Sequence, residues 1–296
     1  MKSKNPHLPS TKCQLLTIVG PTASGKSALA LQIAKEFNGE IVAADSRTIY
    51  KGMDIGTAKP SAEDRRKIRH FGLDLIEPGE SFNAHKFKIY AECKIADIVR
   101  RGKLPILVGG TGLYVDGVVF DFGFLPKAGA RLRQQLESMS VERLQAKITQ
   151  FGYKMPENRQ NKRHLIRTIE TQGRSGSSSP KPNVGTMIIG LKLPDGELKQ
   201  RIAKRAHANF DGLVEETKTL VSQYGEPKLK KTGGIPYLTA LDYLAGELNH
   251  NQAIEQIIAA EWQYARRQKT WFKRNPFIKW FSSADEAFLA VKSAKL

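Results

Sequence analysis

Cysteine is scarce in this chain of 296 residues: Cys13 and Cys93 are the whole supply, with no C-x-x-C pair. That argues against a thiolate zinc site or a disulfide framework, and it fits a reducing cytoplasm. Long apolar runs are missing too; none reaches the roughly 18 residues of a membrane span, so no transmembrane helix is expected. Residues 1–12 carry charge but no apolar core, so no secretion signal is expected. Acid is in short supply: 29 Asp plus Glu face 47 Lys plus Arg, a net charge of +18. Such an excess favours a polyanionic partner, because neutralised phosphates release counterions; general solubility charge is the plainer alternative.

Apolar periodicity supplies the fold class. Gln14–Gly20 reads as a buried strand, Ser27–Phe37 as a helix with Leu29, Ile33 and Phe37 on one face, and Glu40–Asp45 as a second strand. Lys86–Arg101 is helical in pattern, and Leu104–Gly109 is a third strand running into Gly109-Gly110-Thr111-Gly112. This alternation argues for an α/β fold with a parallel sheet. Gly129–Gly152 and Glu157–Gly173 then read as helices rich in Arg, Lys and Gln, and Ser175–Asn183 as a Ser/Pro linker. Thr186–Leu193 reads as a strand returning to the sheet, the chain from Asp195 as helix almost to its end, and Phe277–Phe281 as a last strand. The expectation is a core of residues 1–121 and 184–296, interrupted by a mostly helical insertion, 122–183.

Gly20-Pro-Thr-Ala-Ser-Gly25-Lys26-Ser27 matches G-x-x-x-x-G-K-[ST], between a strand and a helix as that motif requires. Gly20 and Gly25 let consecutive N–H groups turn inward, the following helix adds its positive end, Lys26 a point charge, and Ser27 a hydroxyl for Mg2+. An ordinary Gly-rich turn is the plain alternative. A hydrolytic motor would need an acid at the end of a later strand, but the third strand delivers Thr111 instead. Asp45 ends the second strand. Strand C-termini face the ligand crevice in such sheets, so Lys26, Asp45 and Thr111 should converge. Asp45 could position Mg2+ or act as a base; a helix N-cap, shared with Ser46, is the structural alternative.

The blocks GPTASGKS (20–27), ADSRTIYKGMDIGTAKP (44–60) and LVGGTGLY (107–114) resemble the signature of bacterial tRNA dimethylallyltransferases. The likeness continues through RHLIRTIE (163–170), RIAKR (201–205) and YARRQKTWFKR (264–274), nearly the whole chain. The resemblance implies a P-loop NTPase-like core that holds not a nucleoside triphosphate but the pyrophosphate of dimethylallyl diphosphate. It further implies that Gly20, Thr22, Ala23, Ser24, Gly25, Lys26 and Ser27 bind the donor with Mg2+ at Ser27, and that Arg205 contacts its pyrophosphate. By the same likeness Asp45 takes a proton from the adenine N6 amine, Thr111 orients the reacting groups, and the acceptor is the adenosine just 3′ of the tRNA anticodon. Asp45, Ser46, Arg47, Thr48, Arg163, Arg167, Arg266, Arg267, Gln268 and Lys273 match parts that touch tRNA. His164 stands where the family has a second Arg, and Ile235-Pro236-Tyr237 replaces I-G-Y; proline removes an N–H, so an altered tRNA contact is expected there.

The residues support an RNA partner separately. No acid occurs between Trp262 and Trp280, while Arg266, Lys269 and Lys273 fall on one helical face and Trp271 and Phe272 interrupt the charges. At least one of those aromatics is expected in the core. Prenylation of free adenosine phosphates, a small-molecule P-loop kinase and a non-catalytic RNA-binding protein are the competing readings. Nothing in the sequence demands a second copy, so a monomer is expected.

Overall fold

The computed structural model describes residues 14–126 and 128–294. Cys13 and the expectation about residues 1–12 lie outside them. The described residues fall into two compact units, one within Met1–Val119 and Pro182–Leu296, the other Phe120–Lys181. The second starts and ends two residues before the insertion expected from sequence.

The first unit is built on six parallel strands: β1 Leu15–Val19, β2 Gly39–Ala43, β3 His70–Phe71, β4 Leu104–Gly109, β5 Thr186–Leu191 and β6 Lys279–Phe281, in the order β3-β2-β4-β1-β5-β6. The P-loop strand β1 lies between β4 and β5, with Val19 level with Gly109 and Gly190. Strand ends that carry chemistry therefore share one edge. Helix α1 (Lys26–Glu36) covers one face through Leu29, Ala30, Ile33 and Ala34, in a core with Ile18, Ile41 and Ile106. Helices α2 (Ala62–Lys67), α3 (Ala84–Arg100) and α4 (Gly112–Val119) follow β2, β3 and β4 in turn, and α3 packs on β2, β4 and α4.

In the second unit, α5 (Ala130–Ser138), α6 (Val141–Gln150) and α7 (Lys162–Glu170) enclose Leu136, Leu144, Ile148, Leu165, Ile166 and Ile169. The sequence pattern merged α5 with α6; Ser140 separates them by accepting the Arg143 N–H as a cap. The Ser/Pro segment is not a free linker, because Ser177 pairs with Gly123 through Gly123 N–H to Ser177 O at 2.8 Å.

Back in the first unit, α8 (Asp195–Tyr224), α9 (Glu226–Thr232), α10 (Gly234–Leu244), α11 (His250–Phe272) and α12 (Ala284–Ser293) complete the chain. The single helical stretch expected after Asp195 is broken at Gly225, Gly234 and Gly246, whose φ values of +83, +67 and +78° end or redirect a helix. Helices α8, α10 and α11 close a second core around Phe210, Tyr237 and Ile254, to which Ile49, Tyr50 and Met53 contribute. Strand β2 stops at Ala43, so Asp45 lies beyond it rather than at its end. β3 is too short for a periodic signal.

The root of β2 is held by charge. Glu40 is buried, and its carboxylate takes both Arg101 Nη atoms, at 2.6 and 2.5 Å, and Lys103 Nζ at 2.9 Å. Hydrogen bonds from Arg101, the largest cause, hold its pKa at about 2, down from 4.5. A depressed acid stabilises the fold above its unfolded pKa and loses that contribution as pH falls from about 4.5 towards 2. Arg101→Ala should therefore lower stability at pH 7, read as a lower urea midpoint, and should flatten the loss of stability below pH 4.5, with Lys103 left as the remaining partner of Glu40.

Candidate active site

The loop between β1 and α1 is shaped for an anion. Gly20 and Gly25 have φ of +152 and +90°, and Ala23, not a glycine, is held at +60°. A Cβ on Gly20 would sit 2.9 Å from Leu191 O, so no side chain fits. No side chain caps the start of α1, leaving its first N–H groups to the loop's concavity. The Ser24 hydroxyl is buried without a hydrogen-bond partner among the described residues. Lys26 Nζ donates to Pro21 O at 3.1 Å. Burial pushes its pKa down to about 8; the Asp45 charge opposes this and Arg205 adds to it.

Two cavities meet here. The first, about 410 Å³, is lined by Thr22, Gly25, Lys26, Ser27, Arg201 and Arg205 on its polar side and by Leu31, Ile41 and Leu73 on its apolar side. The second, about 320 Å³, is lined by Ser46, Arg47, Gly233–Pro236, Tyr264 and Arg267. Thr22, Asp45, Thr57, Ala58 and Arg205 line both, so they form the shared wall. Arg205 Nη2 is fixed in that wall by Thr22 Oγ1 at 2.7 Å and Glu261 Oε2 at 2.5 Å.

Asp45 caps no helix; its Oδ1 accepts the Arg47 N–H at 2.8 Å, which leaves Oδ2 for a ligand. The convergence expected of Lys26 and Asp45 is present. Thr111 lies one layer back: it lines neither cavity, and its Oγ1 accepts the Ser46 N–H at 3.0 Å. It also bonds to the Tyr264 hydroxyl. Burial and the Asp45 charge push that hydroxyl up to about 12, against hydrogen bonds to Thr111 and Gln268. Thr111 thus orients the Asp45–Ser46 turn and Tyr264.

Several residues expected to face tRNA have other duties. Gln268 is 4% exposed; its Oε1 accepts the Thr22 N–H at 2.8 Å and its Nε2 donates to Gly110 O at 2.9 Å. Its amide joins the P-loop to the β4–α4 turn. Thr48 is buried and lines the first cavity. Arg167 spends its guanidinium inside the second unit, on Leu125 O, Pro126 O and Glu170. Arg47 donates to Thr232 O at 2.6 Å, yet its side chain still lines the second cavity. Arg163, Arg266, Arg267 and Lys273 are exposed. Phe272 is core at 1% exposed, whereas Trp271 is 37% exposed and its Nε1 donates to Asp116 Oδ2 at 2.7 Å. Pro236 falls in the first turn of α10, where its N–H would have no helical partner, so the helix accommodates it.

Arg201, Glu261 and Tyr264 were missed from sequence. Arg201 had a signal, since it precedes Arg205 by one helical turn and so shares its face. Glu261 and Tyr264 are ordinary polar positions of a helix until α11 is placed against the P-loop.

A glycine-rich anion cradle that opens through a shared wall onto a second, basic and aromatic chamber defines a P-loop group-transfer protein. Family models agree with one another: the IPP transferase model matches residues 48–275 and the isopentenyl transferase model residues 13–76. A tRNA dimethylallyltransferase of Macrococcus caseolyticus is 37% identical over 288 residues, covering 93% of this chain and 92% of its own. The tRNA isopentenylpyrophosphate transferase of Bacillus halodurans superposes with a TM-score of 0.71 at 33% identity over 95% of each chain. That of Staphylococcus epidermidis gives 0.69 at 31%, over 94% of this chain and 97% of its own. The chain belongs to the IPP transferase family, whose members are prenyltransferases.

Bringing pyrophosphate beside Lys26 favours its charged form, so binding raises its pKa. Below pH 8 the ammonium is charged in both states; above pH 8 binding must first take up a proton. Between pH 7 and pH 9 pyrophosphate affinity should fall about tenfold more for the wild type than for Lys26→Arg, whose charge does not titrate. Calorimetric titration of the pair cancels the ligand's own titration.

Proposed function

We propose that this protein transfers a dimethylallyl group from dimethylallyl diphosphate to N6 of the adenosine 3′-adjacent to the anticodon of tRNA, releasing pyrophosphate. The observation that carries it is the shared wall: Asp45, Thr22 and Arg205 border both chambers, so a donor on the P-loop and a base beside Tyr264 meet at one carboxylate. The relatives' names supply the two substrates.

The chemistry follows from those positions. The N6 lone pair is delocalised into the adenine ring, so alkylation needs positioning and proton removal. As the bond from C1 of the prenyl group to its bridging oxygen breaks and the C1–N6 bond forms, the N6 proton passes to the Asp45 carboxylate. The departing pyrophosphate gathers charge where the loop N–H groups, Lys26 and Arg205 already point. Ser27, exposed in the first cavity, would offer its hydroxyl to a Mg2+ ion brought with the donor. No cluster of three or more His, Cys, Asp or Glu among the described residues would hold a metal without the donor. Bound there, Mg2+ would neutralise pyrophosphate oxygens.

The target base must leave its stack to enter the second chamber, where Tyr264 and Arg267 offer a ring and a guanidinium, with Arg267 5.8 Å from the Tyr264 ring centre. Exposed Arg266 and Lys273 on the first unit, and Arg163 on the second, are the phosphate contacts proposed here. A cytoplasmic monomer is part of the same reading. No helix among the described residues is long and apolar enough to cross a membrane.

The test is transfer of label from dimethylallyl diphosphate to unmodified tRNA, with AMP and ATP as parallel acceptors. Label in tRNA alone supports the reading; label in AMP or ATP replaces it with free-nucleotide prenylation. Asp45→Asn keeps the acceptor oxygen for the Arg47 N–H but removes the base, so turnover should fall about 10²- to 10⁴-fold while tRNA affinity changes less than about threefold.

A further inference from the structure

Part of the wall common to both chambers, Thr57 and Ala58, belongs to the turn Asp54–Lys59, which closes through its own bonds from Ala58 N–H to Ile55 O and from Lys59 N–H to Asp54 O, both 3.0 Å. Ala58, at φ +52°, is the left-handed residue that closes this turn. Glu216, on α8, anchors the start of the turn. Its Oε2 accepts the N–H groups of Asp54 and Ile55 at 2.9 and 2.8 Å, and its Oε1 accepts Gly56 N–H at 3.2 Å and the Tyr237 hydroxyl at 2.5 Å. Three consecutive amides thus form an anion nest that the protein fills with its own carboxylate. Tyr237 is fully buried, and burial with the nearby Glu216 charge raises its pKa strongly, so it remains an O–H donor.

The same pair reaches the opposite wall. Tyr237 follows Gly233–Pro236, which line the second chamber, and its ring lies where a Cβ on Gly56 would stand, at 2.5 Å. One carboxylate therefore fixes the distance between Gly56–Ala58 on one side of the chamber and Gly233–Pro236 on the other. At the other end of the turn, Lys59 Nζ is buried against Tyr50 O, Asp54 Oδ1 and Asp74 Oδ1, at 2.7, 2.7 and 2.5 Å.

We infer that Glu216 and Tyr237 are positioning residues that set the width of the acceptor-base chamber. Neither lines the donor cavity, which the turn they hold reaches only through Thr57 and Ala58, so their loss should harm acceptor use more than pyrophosphate binding. The inference rests on the proposed tRNA reaction for its kinetic consequence and on geometry alone for the anchoring.

The test uses the full chain as Tyr237→Phe and Glu216→Gln, assayed well below their melting temperatures. Arg101→Ala serves as a destabilised control away from the site. Tyr237→Phe should lower kcat/KM for tRNA about tenfold and Glu216→Gln more, since small misplacements near reacting groups cost up to about a hundredfold. Pyrophosphate affinity should stay within about twofold, and Arg101→Ala should leave both constants unchanged. In Glu216→Gln, hydrogen exchange at the Asp54, Ile55 and Gly56 amides should accelerate. Unchanged exchange, or faster exchange with unaltered tRNA kinetics, overturns the inference. A parallel fall in pyrophosphate affinity overturns it as well. If the wild type labels no tRNA, the functional reading fails alone, and exchange still decides the anchoring.

Discussion

The buried amide of Gln268 registers three elements that the chain places far apart. It holds the P-loop through Thr22 N–H, the β4–α4 turn through Gly110 O, and both against α11. From that junction the rest of the site follows. The Gly110 turn sets Thr111, which holds Ser46 and with it the Asp45 turn. Helix α11 brings Glu261, which steadies Arg205, and Tyr264, which faces the second chamber. A substituent on Gly110 would meet the Gln268 amide at 2.0 Å, so the close approach also requires glycine there. Buried amides with both ends satisfied are worth more as registers than as sources of stability.

Charge is arranged so that the donor completes it. The cradle holds Lys26, Arg201 and Arg205 around one cavity, with Asp45 at its rim and Glu261 behind Arg205. Burial lowers the Lys26 pKa because the cation lacks water, and a pyrophosphate would restore what burial removes. In the proposed reaction the same charges would hold the ground-state anion and meet the charge that grows as pyrophosphate leaves, which is preorganisation in its electrostatic form.

Much of the donor side was legible. The Gly20–Ser27 motif carries its own mechanism, since spacing and glycines fix a local backbone shape that needs no distant partner. Alternating strands gave the parallel core, but β3 escaped because its two residues carry no period, and the helices after Asp195 fused because glycines at +φ interrupt a pattern without changing its polarity. Residue type could not show that Gln268 and Thr48 are buried. A polar side chain in a basic stretch reads as surface, and burial with a satisfied partner is a tertiary property.

The sequence by itself determined the anion cradle, the parallel α/β class, the family and the basic character of the chain, because each is written in local spacing or in composition. Only the tertiary structure decided that Asp45 lies in a wall between two chambers, that Thr111 supports it from behind, and that Glu216 and Tyr237 hold the wall's far side. Ser46 with Thr111 and Asp54 with Glu216 are joined across 65 and 162 positions. No periodicity spans such distances; they are fixed when the parallel sheet brings its strand ends to one edge and α8, α10 and α11 close over it.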